Sequence, residues 1–235
     1  DNVSHIIGGH VLPKMESGKI GLKQGFMAAV VELIDISING PGGHTSRPAE
    51  TVDLIWAMSQ LILSIEQSVR RCTDEQQPVV LAFGKVTGGN TFNVLPDKIE
   101  LKGTLRYLDS SLKEKLHKNI NKSVLGIEQM TGAKINWSVP YTSPGVFNDE
   151  LITDLLIKAS NESIGSENTI ILEESSMGGE DFAYYLEHIP GSYYRIGCFD
   201  GCANDVHTPN FDVDENCIST ALIFLNGAVE QYFNQ

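Results

Sequence analysis

The sequence predicts an α/β chain in which one compact α/β unit interrupts another. Three observations carry that prediction. Residues 30–39 and 98–107 alternate apolar and polar side chains with period two, as half-buried strands do. Residues 50–71 and 112–127 repeat apolar side chains every three or four positions, as amphipathic helices do. The order over about 28–141 is strand, helix, strand, strand, helix, strand. That is the split βαβ, ferredoxin-like arrangement, a four-stranded antiparallel sheet with both helices on one face.

Each element has its own warrant. In the first strand Ile34, Ile36 and Ile38 share a face opposite Asp35, Ser37 and Asn39. A glycine-rich turn, Gly42-Gly43-His44-Thr45-Ser46-Arg47-Pro48, leads to the helix striped by Ile55, Met58, Ile62, Ile65 and Val69. Residues 79–87 read as an apolar strand, and 88–97 as a loop. Ile99, Leu101, Leu105 and Tyr107 then oppose Lys98, Glu100, Lys102, Thr104 and Arg106. The second helix carries Leu112, Leu116, Ile120, Val124 and Ile127, with Ser110 or Ser111 as its cap and Gly132 as its stop. Ile135, Trp137 and Val139 alternate in the last strand.

The flanks differ in character. Residues 1–27 are glycine-rich, apolar and too few to fold alone. Residues 143–235 carry a helix near 149–163, a β-like 169–172, an apolar 193–197 and a final helix over 215–233 capped by Asp214. The economical organisation is a domain over 28–142 inserted into a second domain made of 1–27 and 143–235.

Composition narrows the partners. Thirty acidic residues against seventeen basic give a net charge of -13. Nucleic acid and anionic membranes both reward clustered Lys and Arg, so neither is an expected partner. No apolar run approaches a membrane span and no signal peptide opens the chain. Cys72, Cys198, Cys202 and Cys217 form neither a disulfide framework nor a zinc knuckle. Thiols in a reducing cytoplasm are expected, with a Cys198–Cys202 redox pair as the alternative.

Six side chains are candidates for chemistry. His44, in a turn between two regular elements, is held by the fold and free to reach outward; the same turn serves equally as punctuation. His10 ends a strand-like stretch and His207 lies in a loop before the last helix. Ligands gather at strand ends in open α/β folds, and a neutral imidazole is a good zinc ligand, so both suit a metal site. Taken singly, each is read first as a hydrogen-bonded structural histidine. Glu180, beside Asp181, stands at the start of a short helix, where capping competes with a pocket role. Asn93 has an amide able to donate to a substrate oxygen or to hold its turn. Arg106 sits on a charged strand face where solvation is the default reading.

Taken together these stretches resemble the metal-dependent amidohydrolases of N-acyl amino acids: aminoacylases, hippurate hydrolases and the plant enzymes acting on indole-acetyl amino acid conjugates. The matching segments are Gly9-His10-Val11-Leu12-Pro13, Gly40-Pro41-Gly42-Gly43-His44, residues 88–97, Gly103-Thr104-Leu105-Arg106, residues 176–182 and His207-Thr208-Pro209-Asn210-Phe211-Asp212. The resemblance implies a catalytic α/β domain with two divalent metals (zinc or manganese, with nickel or cobalt as alternatives), and an inserted lid that also makes a homodimer interface. It implies His10 and His207 as metal ligands, and His44 as the lid histidine that polarises the scissile carbonyl. It places Asn93 near a small N-acyl amino acid substrate, with Glu180 and Arg106 as further substrate-side candidates. The family's other ligands and its general-base glutamate lie upstream of the residue matching His10. The chain therefore reads as the second half or more of such an enzyme, with an incomplete metal site of its own. A non-catalytic dimerisation module and a related metallo-carboxypeptidase are the alternative readings.

Overall fold

The computed structural model describes residues 3–73, 77–199, 201 and 205–234. In chain order the strands are β1 (Ile6–Glu16), β2 (Ile20–Leu22), β3 (Gly25–Ala28), β4 (Val30–Asn39), β5 (Gly43–His44), β6 (Val79–Gly88), β7 (Val94–Leu95), β8 (Lys98–Tyr107), β9 (Lys134–Ser143), β10 (Val146–Asn148), β11 (Thr169–Ile171) and β12 (Gly191–Phe199). The helices are α1 (Leu54–Arg71), α2 (Lys113–Thr131), α3 (Glu150–Ser163), α4 (Ala183–Leu186) and α5 (Asn216–Phe233). The chain divides into two compact units. One comprises 1–28, 146–176 and 180–235; the other comprises 29–145 and 177–179.

In the central unit β6, β8, β4 and β9 lie side by side in that order, and every neighbouring pair is antiparallel. One sheet face supplies Ile34, Ile36, Ile38, Leu101 and Leu105 to a core shared with Leu54, Leu61 and Ile65 of α1 and Leu116 and Ile120 of α2. Full burial of such side chains stabilises by about 1.5–3 kcal/mol each. The opposite face is charged: Lys102 Nζ lies 2.8 Å from Asp35, and Lys98 Nζ 2.6 Å from Glu100. Asp53 caps α1 by accepting from the N–H groups of Ile55 and Trp56, each at 3.0 Å. Asp109, rather than either serine, caps the approach to α2, accepting the Ser111 N–H at 2.8 Å. A single 3₁₀ turn over residues 110–112 intervenes, which displaces both serines from the capping position. Gly132 ends α2 at φ 77.

A carboxylate is buried in this core. Glu32 has 0% exposure. It accepts the Tyr107 hydroxyl at 3.1 Å, lies 2.6 Å from His117 Nε2, and sits 3.5 Å from Lys113 Nζ. His117 meets Trp137 edge to face.

In the flanking unit the sheet order is β1, β12, β2, β11. β1 runs parallel to β12 from Ile6 opposite Gly191 to Leu12 opposite Gly197. His10 therefore lies inside a strand, not at its end. Pro13 does not stop the strand. Among the described residues β1 has one ladder neighbour, and proline is tolerated where a strand edge needs no donor. Ile20, Leu22, Leu156, Tyr194 and Phe224 form the main core, and Met27, Val146, Ala183 and Tyr193 a second. Buried Asn148 joins three segments. Its amide donates to the carbonyls of Lys23 and Tyr193 at 2.8 and 2.9 Å and accepts the Tyr193 N–H at 2.8 Å. Asp214 accepts the Asn216 N–H at 3.0 Å at the start of α5. Cys202, and with it the Cys198–Cys202 pairing, lies outside the described residues. Among those residues no helix is long and apolar enough to cross a membrane.

Three phenols report on these cores. Burial raises Tyr107, Tyr193 and Tyr194 above the ordinary tyrosine value, Tyr194 to about 12. The Glu32 charge adds to the effect on Tyr107, and the hydrogen bond to Glu180 adds to that on Tyr193. Because the folded values are raised, the stability they carry is complete below about pH 10 and is lost as pH rises through those values. In an alkaline titration followed by phenolate absorbance, three of the seven tyrosines are expected to ionise late, together with unfolding. Ionisation of all seven in one step near pH 10, with the fold intact, would contradict this burial.

Candidate functional site

The site candidates fall into two local constructions, one in each unit. In the central unit β5 pairs with β7 as a short antiparallel ribbon, Gly43 opposite Leu95 and His44 opposite Val94. The loop predicted over 88–97 thus contains a strand. The ribbon requires glycine at position 42, because a Cβ there would stand 2.5 Å from the Leu95 carbonyl oxygen. Thr45 donates its N–H to the Asn93 carbonyl at 3.1 Å, so His44 and Asn93 are brought together across 49 positions of sequence. Both are exposed. Beside them Phe92 is 96% exposed at the loop tip. The ribbon borders a cavity of about 520 Å³ lined in part by Gly42, Gly43, Thr91, Val94 and Leu95.

His44 has its Nδ1 engaged by Ser46, 3.1 Å from the backbone nitrogen and 2.7 Å from Oγ. The Asn93 side-chain oxygen accepts the Thr91 hydroxyl at 3.1 Å. Arg106 behaves differently from its charged neighbours on β8. It is half-buried, and its Nη1 donates to the Met177 carbonyl at 2.9 Å. It thereby holds the segment that leads into Glu180.

In the flanking unit His10 lies opposite Arg195 in the β1–β12 register. Its Nδ1 is 2.8 Å from the Val11 carbonyl. A carbonyl only accepts, so Nδ1 carries the proton and Nε2 presents its lone pair. That is the state in which imidazole binds a metal, with the second nitrogen oriented by a backbone carbonyl. Gly8 and Gly9 precede it because side chains crowd the strand there. A Cβ on Gly8 would stand 2.6 Å from the Phe182 ring, and one on Gly9 2.5 Å from the Tyr194 ring. Arg195 covers the Tyr193 ring at 5.1 Å, and Phe182 stacks on the same ring.

Glu180 does not cap α4 through its side chain; its carboxyl accepts the Tyr193 hydroxyl. His207 is exposed, with φ 64, the one non-glycine residue in the left-handed region among those described. Histidine enters that region more readily than most residues, and such backbone concentrates at functional positions. Its loop is tied at both ends: Asp205 lies 3.8 Å from Lys14 of β1, and Asp214 N–H donates to the Cys198 carbonyl at 3.2 Å. Among the described residues no three His, Cys, Asp or Glu side chains converge as a metal-binding group. The donor chemistry at His10 fits a divalent metal, and among the described residues no closed ligand set accompanies it.

Sequence reasoning missed Tyr193, Ser46, Thr91 and the Glu32 cluster. Of these only Glu32 left a signal, as an acid on the apolar parity of its strand.

This architecture is shared with hydrolases that act on amides. A structure from methicillin resistant Staphylococcus aureus assigned as an aminohydrolase superposes with a TM-score of 0.87 at 26% identity, covering 97% of this chain and 58% of that one. A Bacillus subtilis protein described as a dinuclear metal binding peptidase of the M20 family superposes with a TM-score of 0.77 at 28% identity, covering 97% and 57%. The chain belongs to the peptidase family M20/M25/M40, whose sequence pattern it matches over residues 1–231. Among curated relatives, N-acetyl-L-cysteine deacetylase of Bacillus subtilis (strain 168) is 36% identical over 225 residues, 96% of this chain and 53% of its own length. The chain spans a little over half the length of these relatives.

Proposed function

We propose that the whole protein is a divalent-metal-dependent hydrolase of the amide bond in N-acyl amino acids. On this reading 29–145 forms the inserted ferredoxin-like lid, which also pairs two copies of the protein, and the flanking segments belong to the catalytic domain. The observation that carries the proposal is the pinned ring of His10, whose Nδ1–H···O=C bond leaves Nε2 as a neutral ligand. Kinship with N-acetyl-L-cysteine deacetylase supports the substrate class.

His10 and His207 would hold metal, with further ligands from outside the described residues. When bound, the metal supplies Lewis acidity toward water and the substrate carbonyl. The chain's own residues do the rest. His44 donates to the carbonyl oxygen as it gains negative charge, and Asn93 supplies a second N–H from the same ribbon. Glu180, oriented by Tyr193, lines the substrate pocket. Arg106 acts at one remove, by fixing the Met177 carbonyl ahead of Glu180.

The test is hydrolysis by the whole protein of N-acetyl amino acids set against matched dipeptides, with Mn²⁺ or Zn²⁺ present. Preference for the acyl amino acid is expected. Preference for the dipeptide would make the protein a carboxypeptidase instead, and no turnover of either would leave the dimerisation-module reading standing.

A further inference from the structure

We propose that Ser46 and Thr91 are positioning residues: Ser46 occupies the Nδ1 acceptor of His44 and the Thr91 hydroxyl engages Oδ1 of Asn93, so that Nε2–H and the Nδ2 amide are the groups offered to a substrate oxygen. The inference rests on the function proposed above for its catalytic meaning, and on geometry alone for the donor states.

The turn is what makes this possible. Arg47 donates its N–H to the His44 carbonyl at 2.9 Å, closing a tight turn with Ser46 inside it. Ser46 then faces the imidazole of His44 with two groups. Its backbone N–H reaches Nδ1 at 3.1 Å, and its Oγ stands 2.7 Å from the same atom. A backbone N–H can only donate. Nδ1 must therefore offer its lone pair, and the proton of the neutral ring resides on Nε2. This is the opposite tautomer to that of His10, whose Nδ1 faces a carbonyl. One imidazole is set to ligate, the other to donate.

The same logic holds across the ribbon. Thr91 donates its hydroxyl to Asn93 Oδ1 at 3.1 Å, which leaves the two N–H groups of Nδ2 without that competitor. The Asn93 backbone carbonyl is taken as well, by the N–H of Thr45 at 3.1 Å and its hydroxyl at 3.3 Å. A substrate oxygen approaching the ribbon thus meets donors. With His44 in the other tautomer it would meet a lone pair, which repels a developing oxyanion. Donors fixed before the charge appears need no reorganisation at the moment of reaction.

The test reads the tautomer directly in the 235-residue chain. Long-range ¹H–¹⁵N correlation spectra are recorded at about pH 8.5, above the ordinary imidazole range, with the His44 signals assigned by their loss in His44→Gln. The expected wild-type result is a protonated Nε2 and an unprotonated Nδ1. Ser46→Ala keeps the backbone N–H donor and loses the hydroxyl, so it is expected to keep Nε2–H as the major form with a larger share of the other tautomer, and Ser46→Thr to restore the wild-type pattern. In the whole protein Ser46→Ala and Thr91→Val should each lower kcat about 10-fold with KM near wild type, less than the 10²–10³ expected for removing a donor outright. A wild-type Nδ1–H tautomer, or a Ser46→Ala spectrum identical to wild type, overturns the proposal. The expected spectra without any amide hydrolysis by the whole protein would leave the donor setting intact and overturn the proposed function instead.

Discussion

Replacing His44 by alanine in the whole protein is expected to lower kcat on an N-acyl amino acid about 10²–10³-fold, the usual effect of deleting an oxyanion donor. Metal content should stay near wild type, because His44 lies on the β5–β7 ribbon and not on the β1 strand that carries His10. KM should move little, since the bond strengthens only as charge develops on the oxygen. Steady-state kinetics with metal analysis on the same preparation checks both points. Wild-type turnover in the variant removes His44 from the mechanism. Loss of metal together with activity makes it a structural or ligating residue.

The second large effect is on stability. Glu32→Ala is expected to destabilise the chain by roughly 2–4 kcal/mol, from an unsatisfied buried hydroxyl and the cavity left behind. The cause is specific. Tyr107 is fully buried and its hydroxyl donates to Glu32, so truncation strands that group away from water. Lys113 and His117 suffer less, since both retain access to solvent. Glu32→Gln keeps an acceptor for Tyr107 and should cost only about 1 kcal/mol, the net worth of an ordinary hydrogen bond. Denaturant unfolding of both variants measures the difference. A Glu32→Ala value within about 0.5 kcal/mol of wild type, the range of an inconsequential surface change, would contradict it.

Glu32 also shows how the sequence is read. The apolar face of β4 was evident at Ile34, Ile36 and Ile38, and period two carried back two residues points Glu32 into the same core. An acid there announces buried partners, but not which ones. Tyr107 and His117 come from β8 and α2, 75 and 85 residues away, and no local rule pairs them. The mixed α/β character and the elements of the central unit were legible because periodicity is local. The cap ahead of α2 is Asp109 and not Ser110 or Ser111, because a 3₁₀ turn over 110–112 takes up both serines before α2 begins at Lys113.

The site was legible in its residue types and much less in their states. The glycines around His44 marked a turn, but the placement of the Ser46 hydroxyl depends on how that turn closes. The glycines before His10 marked a special stretch. The side chains that require them, Phe182 and Tyr194, arrive from the other end of the chain. Glu180 looked like a helix cap by composition, and its true partner Tyr193 is supplied by β12. The sequence places His10 at a strand end because Pro13 follows; among the described residues β1 has one ladder neighbour, and a proline is tolerated on such a strand.

The central claim is that two histidines divide the work, His10 as a ligand and His44 as a donor. It is tested most directly by stripping the whole protein with a chelator and assaying N-acetyl amino acid hydrolysis before and after Zn²⁺ or Mn²⁺ is returned, in wild type, His10→Ala and His44→Ala. The account predicts that metal restores wild-type turnover, that His10→Ala regains neither metal nor activity, and that His44→Ala regains metal but not rate. Hydrolysis that persists in the stripped wild type, or a His10→Ala variant restored like wild type, would contradict it.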